Sequence, residues 1–272
     1  MRKVSFCIVL YKQSPVLLER AIRSCLLYKG EKRIYLIDNS TTDALRSLQQ
    51  IDAAIEYVWI GKNEGFGKAN NIAIQKAHEW GSQFHFFVNP DIYYTEDVAE
   101  KMTTYMENNP NVGGMMPQIL NPDGTNQYLP KLIPSLWKLF WRKCPWPRSV
   151  HRKMLQTFEM RKMRQDKTYE ILHVTGCFCV YRTDVLFRIG GFDDRYFMYF
   201  EDTDLSRTVH ATHLTLYYPF TQVFHDYGNG AAKEARLFGY FLVSAFKYFC
   251  KWGWIDFKGH RLNQAVLKQL DD

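Results

Sequence analysis

The sequence lacks a hydrophobic run long enough to cross a bilayer. The apolar run after Met1-Arg2-Lys3 stops at Lys12, and the longest apolar stretch, Leu237 to Phe246, is stopped by Lys247. A membrane-spanning helix needs roughly 20 apolar residues, and no secretory signal is visible at the start of the chain. We therefore expect a cytoplasmic protein that is not integral to the membrane.

The chain also has few cysteines, and their spacing forms no known pattern. None of the six belongs to a CxxC pair or to a zinc-like arrangement, which argues against a redox motif and a structural zinc site. Cys7 and Cys25 fall within apolar patterns, so we expect both to be small core residues. This cysteine usage favours a reducing compartment.

Positive charge is concentrated in one segment, residues 131–170. It carries eleven Lys or Arg and three acidic residues, in a chain whose net charge is +7. Two interpretations stay open: the solvated face of an ordinary helix, or a contact with an anionic membrane surface, which the tryptophans of the segment favour. Nucleic-acid binding is disfavoured because no recognised binding fold accompanies the charge.

The first half of the chain alternates short apolar runs with amphipathic segments. Ser14 and Thr95 are candidate helix caps, and Pro15 suits a first helical position. The pattern predicts an α/β fold with a mainly parallel sheet flanked by helices on both faces. Strands are predicted at Val4–Leu10, Ile34–Ile37, Ile55–Ile60 and Phe84–Val88, and helices at Pro15–Leu27, Thr42–Gln49, Phe66–Trp80 and Thr95–Asn108.

The second half is less regular. With 272 residues, 46% of them hydrophobic, and no internal repeat or linker, the chain fits one continuous domain. The later predicted elements are helices at Asp184–Ile189, Glu201–Thr212 and Lys233–Lys251 and a strand at Leu214–Tyr218.

Polar or glycine-containing segments follow each predicted strand of the first half. They are Tyr11-Lys12, Asp38-Asn39-Ser40, residues 61–67 and Asn89-Pro90-Asp91. Ligands of parallel sheets bind outside the carboxyl ends of the strands. The glycines of 63–71 also permit close backbone approach before a helix start that favours anions. The pattern predicts a nucleotide site at this edge.

Two acidic motifs carry the predicted chemistry. Asp91 directly follows an apolar strand, where a carboxylate is well placed to hold a divalent metal beside a diphosphate. Glu201-Asp202-Thr203-Asp204 follows the aromatic stretch 196–200, so a carboxylate there is well placed to act as a base. Acidic residues at a helix start also serve as plain dipole complements, and that alternative stays open for each of them.

Six motifs in order resemble those of family 2 glycosyltransferases. More narrowly, the chain is similar to the bacterial rhamnosyltransferase-like branch, in which Asn-Pro-Asp replaces the usual Asp-x-Asp. The motifs are Ile37-Asp38-Asn39-Ser40, Asn63-x-Gly65-x-Gly67-x-x-x-Asn71, Asn89-Pro90-Asp91, Val174-Thr175-Gly176, Gly190-Gly191-Phe192-Asp193 and Tyr199–Leu205.

The resemblance implies an A-type glycosyltransferase fold over residues 1–230, with a C-terminal helical extension, 231–272, packed on the same domain. It implies transfer with inversion at the anomeric carbon. Asp202 would take the proton of the acceptor hydroxyl, and Glu201 would orient the sugar or the acceptor. Asp91 and His225 would hold Mg2+ or Mn2+ on the diphosphate. The implied nucleotide-binding residues are Tyr11, Asp38 (which contacts the pyrimidine base), Asn63, Gly65, Gly67, Asn71 and Asn89.

The expected partners are a nucleotide-diphosphate sugar, with rhamnose or another hexose as the sugar, and a surface-polysaccharide or lipid-linked glycan acceptor. Peripheral contact at the inner face of the cytoplasmic membrane follows from the basic segment. Two departures from the family pattern bear on activity: Asn89 replaces an acid, and Cys177 follows Thr175-Gly176. A catalytically impaired scaffold is therefore the alternative. A nucleotidyltransferase is disfavoured because residues 10–13 lack a basic, glycine-rich signature.

Overall fold

The structure is a computed structural model that describes residues 2–143, 147–227 and 234–270, without the side chains of 140–143, 234 and 235. Cys144, Trp146, Gly228 and the predicted boundary at 230/231 lie outside the described residues. In the described part, one mixed sheet is covered by helices, as the α/β prediction required.

The sheet is parallel in its first half and mixed in its second. Its strands follow the order β3-β2-β1-β4-β8-β6-β9-β5, and β7 pairs with β9 outside this path. The first four strands pair in parallel, β8 runs antiparallel to β4 and β6, and β6 and β9 are parallel. The strands are β1 Lys3–Leu10, β2 Glu31–Asp38, β3 Ile55–Trp59, β4 Phe84–Val88, β5 Ile92–Tyr93, β6 Val112–Leu120, β7 Tyr169–Glu170, β8 Phe178–Arg182 and β9 Leu214–His225.

Helices cover both faces of the sheet, and further helices lie beside its second half. β1 and β4 are apolar and almost wholly buried, because helices cover both faces of the sheet. Cys7 and Cys25 are buried in this core, as predicted. The helices are α1 Pro15–Cys25, α2 Phe66–Trp80, α3 Val98–Asn108, α4 Leu136–Lys143, α5 Arg148–Phe158, α6 Thr183–Arg188, α7 Glu201–His210, α8 Glu234–Trp252 and α9 Phe257–Lys268.

Two local predictions are wrong. In place of a helix over Thr42–Gln49, the chain forms turns and then a 3-10 helix at Arg46–Ile51 that buries none of its residues. Leu45 is buried just before this 3-10 helix, and Leu48 and Ile51 pack partly buried against the core, but six residues are too few for an α-helix to be stable by itself. The cap of α3 is Asp97, which accepts from the amide of Glu100 at 3.0 Å, and not Thr95.

The sequence prediction did not include the strands β5, β6, β7 and β8, and it ended β9 too early. β6 contains Gly113, Gly114 and Pro117, which weaken a strand pattern. Gly114 is needed there because a Cβ would lie 2.3 Å from the ring of Tyr181. The predicted strand Leu214–Tyr218 continues as β9 to His225, which brings that histidine to the edge where the nucleotide site is predicted.

The helix α8 packs against α7 and the loop before it. Tyr196 and Phe200 form an aromatic cluster with Tyr248 and Phe249. Buried Asp204 of α7 accepts from Trp252 Nε1 at 2.6 Å and from Lys251 Nζ at 2.7 Å. These contacts tie the C-terminal helix to the segment that carries Glu201 and Asp202.

None of the helices in the described ranges is both long and apolar enough to cross a membrane.

Candidate active site

The loops that carry the acidic motifs meet at one edge of the sheet. The amide of Asn39 donates to the carbonyl of Leu10 at 2.9 Å, joining the ends of β1 and β2. The amide of Asn89 donates to the carbonyl of Cys177 at 2.7 Å, joining the end of β4 to the loop before β8. The amide of Gly176 in turn donates to Asp202 Oδ2 at 3.3 Å. Three motifs separated along the chain are therefore in direct contact.

Asp91 and His225 form a close pair at this edge. β5 holds them together, since Ile92 pairs with His225 and the amide of Asp226 donates to the carbonyl of Asp91 at 2.9 Å. His225 Nε2 lies 3.2 Å from Asp91 Oδ1. Neither of these two buried atoms has a hydrogen-bond partner. A buried polar pair left without such partners indicates a site for a ligand.

Gln127 fixes the histidine in the tautomer that a metal needs. His225 Nδ1 lies 3.0 Å from Gln127 Oε1, while Gln127 Nε2 donates to Asn121 Oδ1 and to the carbonyl of His225. The amide of Gln127 is thus oriented with its oxygen toward the ring, so Nδ1 carries the proton and Nε2 keeps its lone pair. This is the arrangement of a metal-binding histidine with an outer hydrogen-bond partner.

The pair fits a divalent cation. Two ligands at about 2.1 Å and a right angle lie about 3.0 Å apart, close to the 3.2 Å between Nε2 and Oδ1. In the part of the chain that the structure describes, no group of three or more His, Cys, Asp or Glu forms a fuller cage. Mg2+ and Mn2+ sites that serve a diphosphate complete their coordination with phosphate and water oxygens, so two protein ligands suffice.

Asp202 lies at the start of α7, beside Gly176. Its Oδ1 accepts from the amide of Thr203 at 2.8 Å, and its Oδ2 faces Gly176 and His173. The side chain is about a quarter exposed, at 24%, so a substrate hydroxyl can reach it. The contact with Thr203 also satisfies one unpaired amide of the first helical turn, as a cap does.

Glu201 differs from its neighbour in being buried and unpaired. Its Oε2 has no hydrogen-bond partner. Burial, reinforced by the charge of Asp202, raises the pKa of Glu201 to about 8. The raised pKa favours the protonated carboxyl, which can donate a hydrogen bond where Asp202 accepts one.

The backbone before these two residues is held in a costly conformation. Tyr199 and Phe200 have φ of +71° and +66°, a region that few residues other than glycine adopt. The loop is held by Ser244 of α8, whose hydroxyl donates to the carbonyl of Met198 at 2.7 Å, and by the amide of Phe66, which donates to the carbonyl of Phe197 at 3.2 Å. Strain of this kind persists only where the surroundings enforce it, and it clusters at functional sites.

His173 is a residue of this site that the sequence did not reveal. Its Nε2 lies 3.7 Å from Asp202 Oδ2, and its Nδ1 lies 3.1 Å from Thr203 Oγ1. Burial lowers the pKa of His173, although the charge of Asp202 opposes that change. The only signal available was its place two residues before Thr175-Gly176, which a lone histidine does not make specific.

Cys177 lies between the predicted metal ligand and the predicted base. Burial, with smaller effects of the charges of Asp91 and Asp202, raises the pKa of its thiol to about 12. Thr175 Oγ1 contacts its sulfur at 3.6 Å. The thiol is therefore protonated, and it contributes shape and not nucleophilic chemistry to the site.

Asp38 is fully buried at the end of β2. Its Oδ2 accepts from Tyr57 Oη at 2.5 Å and its Oδ1 from the amide of Ser40 at 2.8 Å. A carboxylate has about four acceptor positions, so these two bonds leave two of them unused, but the side chain is fully buried and its contact with a base stays a prediction. Tyr11, at the end of β1, is partly exposed beside this loop.

The glycine-containing loop before α2 is built around internal contacts. Asn63 Oδ1 accepts from the amide of Gly65 at 3.0 Å, and the carbonyl of Gly65 accepts from Asn39 Nδ2 at 3.0 Å. Gly65 has φ of +87°, and a Cβ there would lie 2.4 Å from the carbonyl oxygen of Phe197. This glycine therefore lets the loop approach the strained segment before Glu201.

Asn71 and Gly67 have structural roles that the motif did not indicate. Asn71 Nδ2 donates to the carbonyl of Phe192 at 2.8 Å, and its Oδ1 accepts from the amide of Phe192 at 2.8 Å. A Cβ on Gly67 would lie 3.0 Å from Cβ of Phe192. Both residues hold α2 against the 190–194 loop, and their contact with a nucleotide stays a prediction.

Comparison with known sequences finds one matching family and related rhamnosyltransferases. The family described as Glycosyl transferase family 2 matches residues 5–190. The N-acetylglucosaminyl-diphospho-decaprenol L-rhamnosyltransferase of Mycobacterium tuberculosis is 26% identical over 245 residues, 83% of this chain and 76% of that protein. The rhamnosyltransferase WbbL of Escherichia coli K12 is 25% identical over 228 residues, 80% of this chain and 82% of that protein.

Solved structures share the fold at low sequence identity. GalNAc-T7, crystallised with UDP, GalNAc and Mn2+, superposes with a TM-score of 0.62 at 15% identity and covers 84% of this chain. The match spans 44% of that protein, so this chain corresponds to less than half of its length. At this identity the likeness establishes the fold, which is the A-type glycosyltransferase fold.

Proposed function

The chain belongs to glycosyl transferase family 2, and from this premise we propose that it transfers a sugar, with inversion, from a nucleotide diphosphate to a glycan hydroxyl. The observation that carries the proposal is the contact between its motifs: Asn89 bonds to Cys177, and Gly176 bonds to Asp202. These bonds bring the loop of Asp91, the proposed metal ligand, next to the start of α7, which carries Asp202, the proposed base.

Asp91 and His225 hold the leaving group in this proposal. The breaking bond leaves a nucleoside diphosphate with growing negative charge, which a divalent cation on its phosphates neutralises. The two side chains present adjacent ligand atoms and keep them buried. Asn89 adds no charge, so the site depends on the histidine more than an Asp-x-Asp site does.

Asp202 is the base and Glu201 the positioning acid. As the acceptor oxygen attacks the anomeric carbon, its proton passes to Asp202, and the bond to the diphosphate breaks on the opposite face of the sugar. Protonated Glu201 donates to an oxygen of the sugar or acceptor and orients it. His173 keeps the Asp202 carboxylate directed toward the acceptor.

The acceptor in this proposal is a surface-polysaccharide or lipid-linked glycan. The mycobacterial relative is named for an acceptor that carries a diphospho-decaprenol lipid, and GalNAc-T7 was crystallised with UDP and Mn2+. Rhamnose is one candidate sugar, since two relatives are rhamnosyltransferases. The basic segment 131–170 supports contact with an anionic membrane, where such an acceptor would lie. Residues 1–230 are the catalytic unit, and 231–272 are an extension packed on it.

Thermal stabilisation by nucleotides tests this function. We expect one of UDP, dTDP and GDP to raise the melting temperature in the presence of Mn2+ far more than in its absence, because a ligand of the folded state alone stabilises it. Asp91→Ala should abolish the Mn2+-dependent part of this rise in melting temperature. The exposed control Asp184→Ala should keep it. A shift that is independent of Mn2+, or one that survives in Asp91→Ala, would contradict the metal assignment and favour the scaffold alternative.

A further inference from the structure

A set of exposed apolar side chains lies on the C-terminal helices and the turn between them, outside the predicted active site. We call it the C-terminal apolar face. Its side chains are large, and each is between 49% and 76% exposed. Isolated exposed apolar residues are ordinary, but a contiguous set of large ones marks an interaction surface. The members of the face are Leu242, Val243, Phe246, Trp254, Ile255 and Phe257.

The helix α8 is apolar on two sides. One side, with Ala245, Tyr248 and Phe249, is buried against the aromatic cluster before α7. The other side presents Phe246 and its neighbours to solvent. Gly253, with φ of +97°, turns the chain so that the ring of Trp254 packs on that of Phe246 at 5.6 Å between centroids. The turn therefore extends the exposed surface.

The charge around this face complements an anionic surface. Between Phe238 and Lys268 there are five basic residues and one acidic residue, Asp256. Asp256 is engaged by Arg207 at 2.7 Å and accepts from the amide of Gly259 at 2.7 Å. No exposed carboxylate of this stretch opposes anionic headgroups. Two of the five basic residues are engaged elsewhere: Lys251 pairs with Asp193 and Asp204, and Lys247 donates to the carbonyl of Arg195. The basic residues that remain to face headgroups are Lys258, Arg261 and Lys268, all of them exposed.

We propose that the C-terminal apolar face inserts into the headgroup layer of an anionic membrane. Exposed Trp, Phe and Ile with basic neighbours have the composition of an interfacial anchor. A second copy of the chain is disfavoured as the occupant, because a two-fold contact would bring the same basic residues together. A lipid surface provides both the apolar layer and the opposite charge.

The position of the face connects it with catalysis. The buried side of α8 packs on Phe200, and Ser244 of the same helix holds the carbonyl of Met198. Insertion of the exposed side therefore places the segment before Glu201 and Asp202 close to the bilayer surface. The acceptor sugar of a lipid-linked glycan would be presented there; this last step rests on the proposed function, whereas membrane insertion does not.

Vesicle binding by the intact chain tests the insertion. The probes are phosphatidylcholine vesicles with and without phosphatidylglycerol. We expect Ile255→Ser/Phe257→Ser to lower the partition coefficient on anionic vesicles on the order of tenfold or more. The reason is that burial of each apolar side chain in the membrane contributes to the free energy of binding. The matched control Val16→Ser/Phe220→Ser removes exposed apolar side chains from other surfaces and should bind as the wild type does. Bromine-labelled lipid should quench tryptophan emission less in Trp254→Phe.

The outcomes of this experiment distinguish membrane insertion by the C-terminal apolar face from binding through the basic segment and from self-association. Loss of binding only in Arg148→Gln/Arg152→Gln/Lys153→Gln, with Ile255→Ser/Phe257→Ser unaffected, would assign the contact to the basic segment and overturn insertion. A dimer seen by light scattering that dissociates in Ile255→Ser/Phe257→Ser, without vesicle binding, would assign the face to self-association. Vesicle binding without any sugar transfer would leave the face standing and overturn the proposed function.

Discussion

Glu201 and Asp202 are neighbours in the sequence, but the fold gives their carboxyl groups different environments. Asp202 has two amide donors and partial exposure, and Glu201 has a buried oxygen without a partner. Hydrogen bonds to a carboxylate favour the ionised form, and burial favours the neutral form. One residue is thus suited to accept a proton and the other to donate a hydrogen bond.

Asp202→Asn tests the base. The amide keeps the size of the side chain but cannot accept the proton, so turnover should fall on the order of 10²–10⁴-fold while nucleotide affinity is retained. Steady-state transfer rates and calorimetry measure the two quantities, with exposed Asp184→Asn as the control. If Asp202 only caps α7, the variant would lose about 1 kcal/mol of stability and keep its turnover.

Glu201→Gln tests the buried acid through the pH dependence of stability. The ordinary pKa of a glutamate, near 4.5, is raised to about 8 in the folded protein. Between these values the folded state holds a proton that the unfolded state has lost, so stability falls as the pH rises. Gln cannot ionise. The melting temperature of the variant relative to wild type should therefore increase from pH 5 to pH 8, as measured by calorimetry. A difference independent of pH, like that expected for the exposed control Glu79→Gln, would show that Glu201 is ionised throughout.

At the scale of elements, the site depends on loops that hold one another. The glycine-containing loop before α2 contacts the strained segment before α7, and α8 supports that segment from the other side. None of these three elements is adjacent in the chain. The base is therefore positioned by the C-terminal helix as well as by the sheet.

Gly65→Ala should disturb this arrangement more than Gly81→Ala. Both glycines have positive φ. Gly81 is in the left-handed helical region, where alanine costs about 1–2 kcal/mol, whereas Gly65, with ψ of 178°, is in a region that essentially only glycine adopts. Only Gly65 also has a backbone oxygen, that of Phe197, at 2.4 Å from a new Cβ, whereas Gly81 has nothing within 4 Å. Urea unfolding should show the larger loss for Gly65→Ala, accompanied by weaker transfer. Equal losses in the two variants would mean that the contact with Phe197 contributes nothing.

At the scale of the whole molecule, apolar and charged surfaces are distributed unevenly. The basic segment 131–170 carries most of the net charge, and the C-terminal apolar face carries the largest exposed side chains of α8 and the turn after it. Electrostatic attraction acts at a distance and is screened by salt, whereas insertion acts on contact. In the proposed insertion, charge would attract the protein to an anionic membrane, and burial of apolar side chains would retain it there.

The sequence alone determined the first half of the fold and the identity of the motifs. The alternation of buried runs and amphipathic segments predicted β4 and α2 at their observed bounds and β1 to within one residue, because such runs show both the period of the element and its burial. The segment 42–49 was predicted wrongly because a short pattern with apolar residues at Leu45 and Leu48 does not distinguish an α-helix from turns and a 3-10 helix. β6 was missed because Gly114 accommodates Tyr181 of another strand and Gly113 accommodates His213, and a local pattern contains neither contact.

Only the tertiary structure decided which atoms meet. The order of the motifs indicated Asp91, His225 and Asp202, but the sheet topology brings Asp91 to 3.2 Å from His225 and adds Gln127 behind the histidine. The tertiary fold also places His173 beside Asp202 and makes Asn71 hold the 190–194 loop. Contacts between residues far apart in the chain depend on strand order and register, which no local pattern contains.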